Sequence, residues 1–179
     1  MKKTKQTYEM SMCALFAALI CAGAFIKLPT PLPITMQTLF TCLAGLILGG
    51  KKGSVSVGVY IFIGLVGLPV FAEGGGFSYI LKPSFGYILG FLPATFVTGI
   101  IAEKKIKFSR FILASFAGMV IIYAVGLTYY FLISRYYLKN QLDVMWLIIY
   151  GFCMTLPGDI LMCILSTSLG VKLKKIMKL

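Results

Sequence analysis

Histidine is absent from the chain, and acids are scarce: five aspartates and glutamates stand against seventeen lysines and arginines in 179 residues. Without histidine, neither a Ser-His-Asp relay nor a histidine-ligated zinc site can be assembled. The five cysteines, Cys13, Cys21, Cys42, Cys153 and Cys163, form no Cys-x-x-Cys pair and all fall within apolar stretches. They read as small packing residues, not as metal or redox ligands. No Gly-x-x-x-x-Gly-Lys-Ser/Thr loop occurs, so the phosphate loop that supports ATP hydrolysis is missing. No cofactor and no metal is implied, and the residues point to binding or transport, not to an enzyme.

What fills the chain instead is hydrocarbon. Hydrophobic residues make up 59% and charged residues 12%, and the mean hydropathy is +0.95, far from the composition of a soluble domain. Apolar stretches cover 8–26, 34–48, 54–70, 85–102, 111–134 and 144–171. A crossing needs roughly 20 apolar residues, so the sequence predicts one all-α integral membrane domain over 1–179, a six-helix bundle with nothing left for a soluble module. The breaks carry Pro29, Pro31 and Pro33, then Gly49 to Gly53 around Lys51 and Lys52, then Gly74 to Gly76, residues that a lipid-exposed helix avoids. The second stretch is short and polar, with Thr35, Gln37, Thr38 and Thr41, and is expected to face protein.

The cations set an orientation. With the N-terminus inside, the cytoplasmic segments hold Lys2, Lys3, Lys5, Lys51, Lys52, Lys104, Lys105, Lys107, Arg110, Lys172, Lys174, Lys175 and Lys178, leaving only Lys27, Lys82, Arg135 and Lys139 outside. This obeys the positive-inside rule and places both termini in the cytoplasm. The net charge of +12 is therefore mostly a topology signal, with some attraction to anionic lipid. A nucleic-acid surface would need cations and aromatics interleaved on one solvated face, whereas these sit at alternate helix ends. Lys2, Lys3 and Lys5 before an apolar run could be taken for a signal peptide, but the run is long enough to cross and is expected to be retained.

Three features point to a site. Asp159 lies deep in the last apolar stretch, where a carboxylate is costly unless it faces protein or a wet cavity. It follows Pro157 and Gly158, where the helix is expected to break or kink and leave backbone donors at the start of a half-helix. The alternative is that Asp159 only caps that half-helix. A second feature is the glycine-rich connection from Gly67 to Tyr87, in which Phe71, Phe77, Tyr79 and Tyr87 could wall a ligand and Glu73, Gly74 and Lys82 could contact it. The alternative there is an ordinary interfacial loop with its aromatic belt. Third, Ala14, Ala18 and Ala22 recur every four residues, a small-residue stripe that lets another helix approach, within the bundle or from a partner.

Four ordered motifs then carry a resemblance: Pro31-Leu-Pro-Ile-Thr-Met-Gln-Thr-Leu39, Gly67-Leu-Pro-Val-Phe-Ala72 with its glycines, Pro83-Ser-Phe-Gly-Tyr-Ile-Leu-Gly-Phe91 and Leu156-Pro-Gly-Asp159. Together they resemble the BioY family, the biotin-binding substrate (S) components of energy-coupling factor (ECF) transporters, over nearly the whole chain. The resemblance implies a multi-pass protein of the bacterial plasma membrane that captures biotin, or a similar small molecule, from outside. The first and third outer connections would act as lids. It implies a transmembrane coupling subunit docking on Ala14, Ala18 and Ala22, and two separate ATPase subunits. Asp159 would accept hydrogen bonds from a ureido-type group, with Gln37 and Thr35 behind it.

The match has departures. The family commonly carries a lysine three residues after the aspartate, where this chain has Met162. Its Gly-Pro-Thr-Gly-Gly-Tyr pattern appears as Lys82-Pro-Ser-Phe-Gly-Tyr87, so Lys82 and Phe85 replace glycines. Glu73 lies near the place of a common asparagine. These changes leave two readings: Lys82 engages the ligand's carboxylate, or the ligand is a related acid such as lipoate or a biotin precursor.

Overall fold

The structure, a computed structural model, describes residues 2–28, 34–104, 106–138, 145, 147 and 149–177. Pro29, Pro31 and Pro33 lie outside the described residues, as do Lys105, Lys139, Lys178 and the start of the sixth stretch at Val144. In chain order the helices are α1 (Lys2–Phe25), α2 (Gln37–Leu65), α3 (Phe85–Glu103), α4 (Phe108–Leu132) and α5 (Leu156–Ile176). A 3-10 helix covers Phe77–Leu81, and π-helical turns cover Ile133–Tyr137 and Ile149–Cys153. Two strands of two residues each, β1 (Lys27–Leu28) and β2 (Ile34–Thr35), pair antiparallel with Lys27 opposite Thr35. Five helical stretches among the described residues are long and apolar enough to cross a membrane.

One of the five is a hairpin. Gly49, inside α2, has φ 81 and ψ 176, a left-handed backbone that favours glycine. The Gln37 amide donates to the Tyr60 hydroxyl across 23 residues, which an unbroken helix would hold about 35 Å apart. The chain therefore folds back at Gly49, with Gly53 so close to the Ala44 carbonyl that an added Cβ would sit 3.0 Å away. The sequence places this break across Gly49 to Gly53. The structure confines it to Gly49, and Lys51 and Lys52 are already helical. The first arm, 37–48, is about 18 Å long, short of a hydrocarbon core of about 30 Å. As expected for a polar segment that faces protein, Gln37, Thr38 and Thr41 are buried.

Around this hairpin the other helices close. α1 buries Phe16, Ala17, Ile20 and Ala24 against it, while α3 approaches so closely that Gly99 lies on the backbone of Gly49 and Gly50. At one end the Glu103 carboxylate accepts the Gly50 N–H at 3.0 Å, and Lys174 donates to the Leu46 carbonyl at 3.0 Å. At the other end an aromatic cluster of Tyr60, Phe71, Tyr79 and Phe85 closes the bundle beneath the loop from Gly67 to Leu81. The last helical stretch is interrupted before Pro157: the π turn ends at Cys153, and α5 starts at Leu156 with Pro157 in its first turn. A proline there sacrifices no intrahelical bond, so the proline starts the helix and does not kink it.

Candidate functional site

Where α2, α3 and α5 begin, the bundle encloses a cavity of about 70 Å³. β2 and the start of α2 contribute Thr35, Gln37 and Thr38; α3 contributes Tyr87, Ile88 and Phe91, preceded by Ser84. Ile122 comes from α4, Thr155 and Asp159 from the head of α5, and Ala72 and Tyr79 from the glycine-rich connection. Small residues let the helices approach one another here. Gly86, for example, lies against the Tyr129 side chain and the Gly126 backbone, which lets the first turn of α3 approach α4.

Asp159 is the chemical centre. Tyr123 donates to its Oδ2 at 2.6 Å, and the Thr38 hydroxyl bonds the same carboxylate. The Tyr123 oxygen also lies 2.8 Å from the Thr155 hydroxyl. The N-cap of α5 is Thr155, with no side-chain cap bond, so Asp159 spends its oxygens on side-chain donors and not on capping. Its place in the first helical turn still suits an anion, because the helix dipole is positive there.

Neutral polar groups complete the wall. The Thr35 hydroxyl donates to Gln37 Oε1 at 3.0 Å, while the Gln37 amide donates to Tyr60. Tyr87 donates to the Gly151 carbonyl at 3.0 Å, an acceptor offered by the π turn. Tyr79 is 2% exposed; burial pushes its phenol up from the ordinary value, so it stays a neutral hydroxyl.

Of the residues anticipated from sequence, Thr35, Gln37, Tyr79, Tyr87 and Asp159 converge on the cavity. Glu73, Gly74 and Lys82 are not among its lining residues. Lys82 and Glu73 pair with each other at 3.3 Å on the surface, and Lys82 stands over the Tyr79 ring at 4.9 Å. Gly74 has φ 115 and exchanges backbone hydrogen bonds with Phe71, which shapes the loop. The two expected walls Phe71 and Phe77 separate: Phe71 is buried in the aromatic cluster, and Phe77 is 76% exposed. Ala14, Ala18 and Ala22 lie together on the exposed side of α1, away from Phe16, Ala17 and Ile20. Sequence reasoning did not assign Thr38, Ala72, Ser84, Ile88, Phe91, Ile122 and Thr155 to the lining, nor Tyr123 to the carboxylate. Thr155 had a usable signal, standing four residues before Asp159 and so on its helical face. Tyr123 had none, since it is one aromatic in an apolar run.

Comparison with known proteins settles the relationship. The model of the BioY family matches residues 1–179. The chain belongs to the BioY family. Among BioY proteins, the probable biotin transporter of Lysinibacillus sphaericus is 41% identical, covering 99% of this chain and 92% of that one. The biotin transporter BioY of Thermotoga maritima is 34% identical, covering 94% of this chain and 96% of its own length. The crystal structure of the S-component for biotin from an ECF-type ABC transporter superposes with a TM-score of 0.86 at 25% identity, covering 98% of this chain and 95% of that one. The BioY fold thus accounts for the whole chain, and its members named here are transporter components, not enzymes.

Proposed function

We propose that this chain is the substrate-capture subunit of an ECF-type vitamin importer and that it binds biotin in the cavity around Asp159. The observation that carries this is the buried carboxylate at the head of α5, held by Tyr123 and Thr38 beside an enclosed space in a BioY fold. A fused ureido ring offers two N–H donors to such an acceptor, and Tyr87, Ile88 and Phe91 offer apolar contact to its ring system. The chain crosses the bacterial plasma membrane six times, with both ends in the cytoplasm. The reversal at Gly49 supports this count by dividing α2 into two antiparallel passes, the first of which is short but buried in protein, where irregular backbone can complete a crossing. The gathering of Lys51, Lys52, Lys104, Lys107 and Arg110 at the end away from the cavity supports the orientation. The cavity then opens outward under the loop from Gly67 to Leu81. The exposed stripe Ala14, Ala18 and Ala22 is the docking face for a coupling subunit, and two separate ATPases supply the energy.

A second reading has an observation in its favour. Among the described residues no lysine or arginine lines the cavity, and Met162, at the place of the family's common lysine, packs against the apolar cluster of Phe16, Leu39 and Leu43. The departure from the family's usual lysine at Met162 leaves a related small carboxylic acid, lipoate or a biotin precursor, as the competing substrate. Calorimetry on the purified chain with biotin, backed by a competition panel of these acids, separates the two. Hydrogen bonds to a charged group are worth about 1.5–3 kcal/mol each, so Asp159→Ala should weaken biotin binding about tenfold or more while the protein stays folded. Unchanged affinity in that variant would remove Asp159 from the site.

A further inference from the structure

Charge is divided sharply between the cavity and its rim. Among the described residues, Asp159 is the one carboxylate or ammonium side chain that lines the cavity. A ligand carboxylate placed beside it would meet a like charge at low dielectric, so an acid must enter with its anionic end turned to the mouth. Two lysines of the described residues stand there. Lys82 is already matched, bonding the Glu73 carboxylate at 3.3 Å and the Glu73 carbonyl at 3.2 Å.

Lys27 differs. It pairs across the ribbon with Thr35, and directly opposed residues of an antiparallel pair project their side chains on the same face. Thr35 lines the cavity and bonds Gln37, so Lys27 projects on the cavity side of the ribbon. Its ammonium donates to the carbonyl of Ala72 at 2.5 Å, and Ala72 is itself a lining residue. The ion pairs among the described residues are Lys52–Glu9 and Lys82–Glu73, so Lys27 has no carboxylate partner among them. An ammonium has three donors; one is given to Ala72, and two remain.

Resting on the vitamin-capture reading, we infer that Lys27 receives the ligand's carboxylate, selecting an anionic tail at the mouth of a cavity whose interior selects a neutral hydrogen-bond donor. The same ammonium, bridging β1 and Ala72, draws the two sides of the mouth together over the bound tail.

The test compares biotin with biotin methyl ester by calorimetry on the full chain in lipid nanodiscs. A charge pair at an exposed rim is weaker than a buried one, so wild type should prefer the acid by about twofold to fivefold. Lys27→Met should lose that preference with ester affinity unchanged, which also certifies its fold, whereas Lys27→Arg and Lys82→Met should keep it. A Lys27→Met protein that still prefers the acid overturns the inference. So does an equal loss for both ligands, which would make Lys27 a loop fastener only. Wild type binding neither compound would instead bring down the vitamin-capture reading itself, and this inference with it.

Discussion

The two ends of α5 place ionisable side chains about 22 Å apart along one helix and use them for opposite purposes. At one end Lys174, 9% exposed, donates to the Leu46 carbonyl at 3.0 Å and faces the Phe111 ring at 5.7 Å. Leu46 lies in the last turn of the first arm of α2, where carbonyls have no intrahelical partner and the dipole is negative. Glu103 mirrors this by accepting the Gly50 N–H, at the positive start of the second arm. Both charges are consumed by backbone. At the cavity end, Asp159 is held by hydroxyls, those of Tyr123 and Thr38, with open space beside them. Hydroxyls rotate to suit a newcomer; backbone caps do not. A buried charge in a membrane bundle is therefore not by itself a site, and the nature of its partners is what separates the two ends.

The largest effect should come from breaking the closed end. A Cβ at Gly99 would collide with the backbone of Gly49 and Gly50, and backbone cannot step aside as a side-chain tip can. Gly99→Leu should exceed the 1–3 kcal/mol or so typical of overpacking and abolish the monodisperse folded protein in detergent. Gly58→Leu, whose Cβ would meet nothing within 4 Å, should leave Tm nearly unchanged. Next comes Lys174→Met, which strips the cap from Leu46. A loss of about 1–3 kcal/mol in stability should appear as a lowered Tm, with biotin affinity unaltered. Reduced affinity at unchanged Tm would show that the two ends are coupled and that the contrast between them is false.

Much of the cavity end was legible because lipid makes polar residues conspicuous. Thr35, Gln37 and Asp159 stand out in apolar surroundings, and burying them demands partners. The reversal at Gly49 was legible to within a few residues, because glycines and lysines interrupt hydrocarbon there; its confinement to one glycine depends on the contact with α3, which no local pattern carries. The fate of the aromatics was not legible. Phe71 and Phe77 are chemically alike and six residues apart, yet one is buried against Tyr60 and Tyr79 and the other is exposed. Their separation follows from the turn at Gly74 and Gly76, both at positive φ. Glu73 and Lys82 looked like ligand contacts because they are polar in a glycine-rich loop, but opposite charges within reach satisfy each other first.

The smallest expected effect sharpens the comparison most. Tyr123→Phe removes one hydroxyl and leaves the ring, which keeps its edge contacts with Tyr87 and Phe152. Packing should therefore be kept, and the loss of stability should stay within the roughly 1–3 kcal/mol of one lost buried partner. Asp159 loses its 2.6 Å donor, so affinity for biotin should fall by about two- to tenfold, the worth of one net hydrogen bond. If Tyr123 acts only by holding the carboxylate in place, the change is worthless once the carboxylate is gone. The double variant Tyr123→Phe with Asp159→Ala should then bind no more weakly than Asp159→Ala alone, a non-additivity that a double-mutant cycle reads directly. A further drop in the double variant would mean that the tyrosine touches the ligand itself. The hydroxyls around Asp159 would then belong to the binding surface, and the cavity end would be built of interchangeable donors around a replaceable acid.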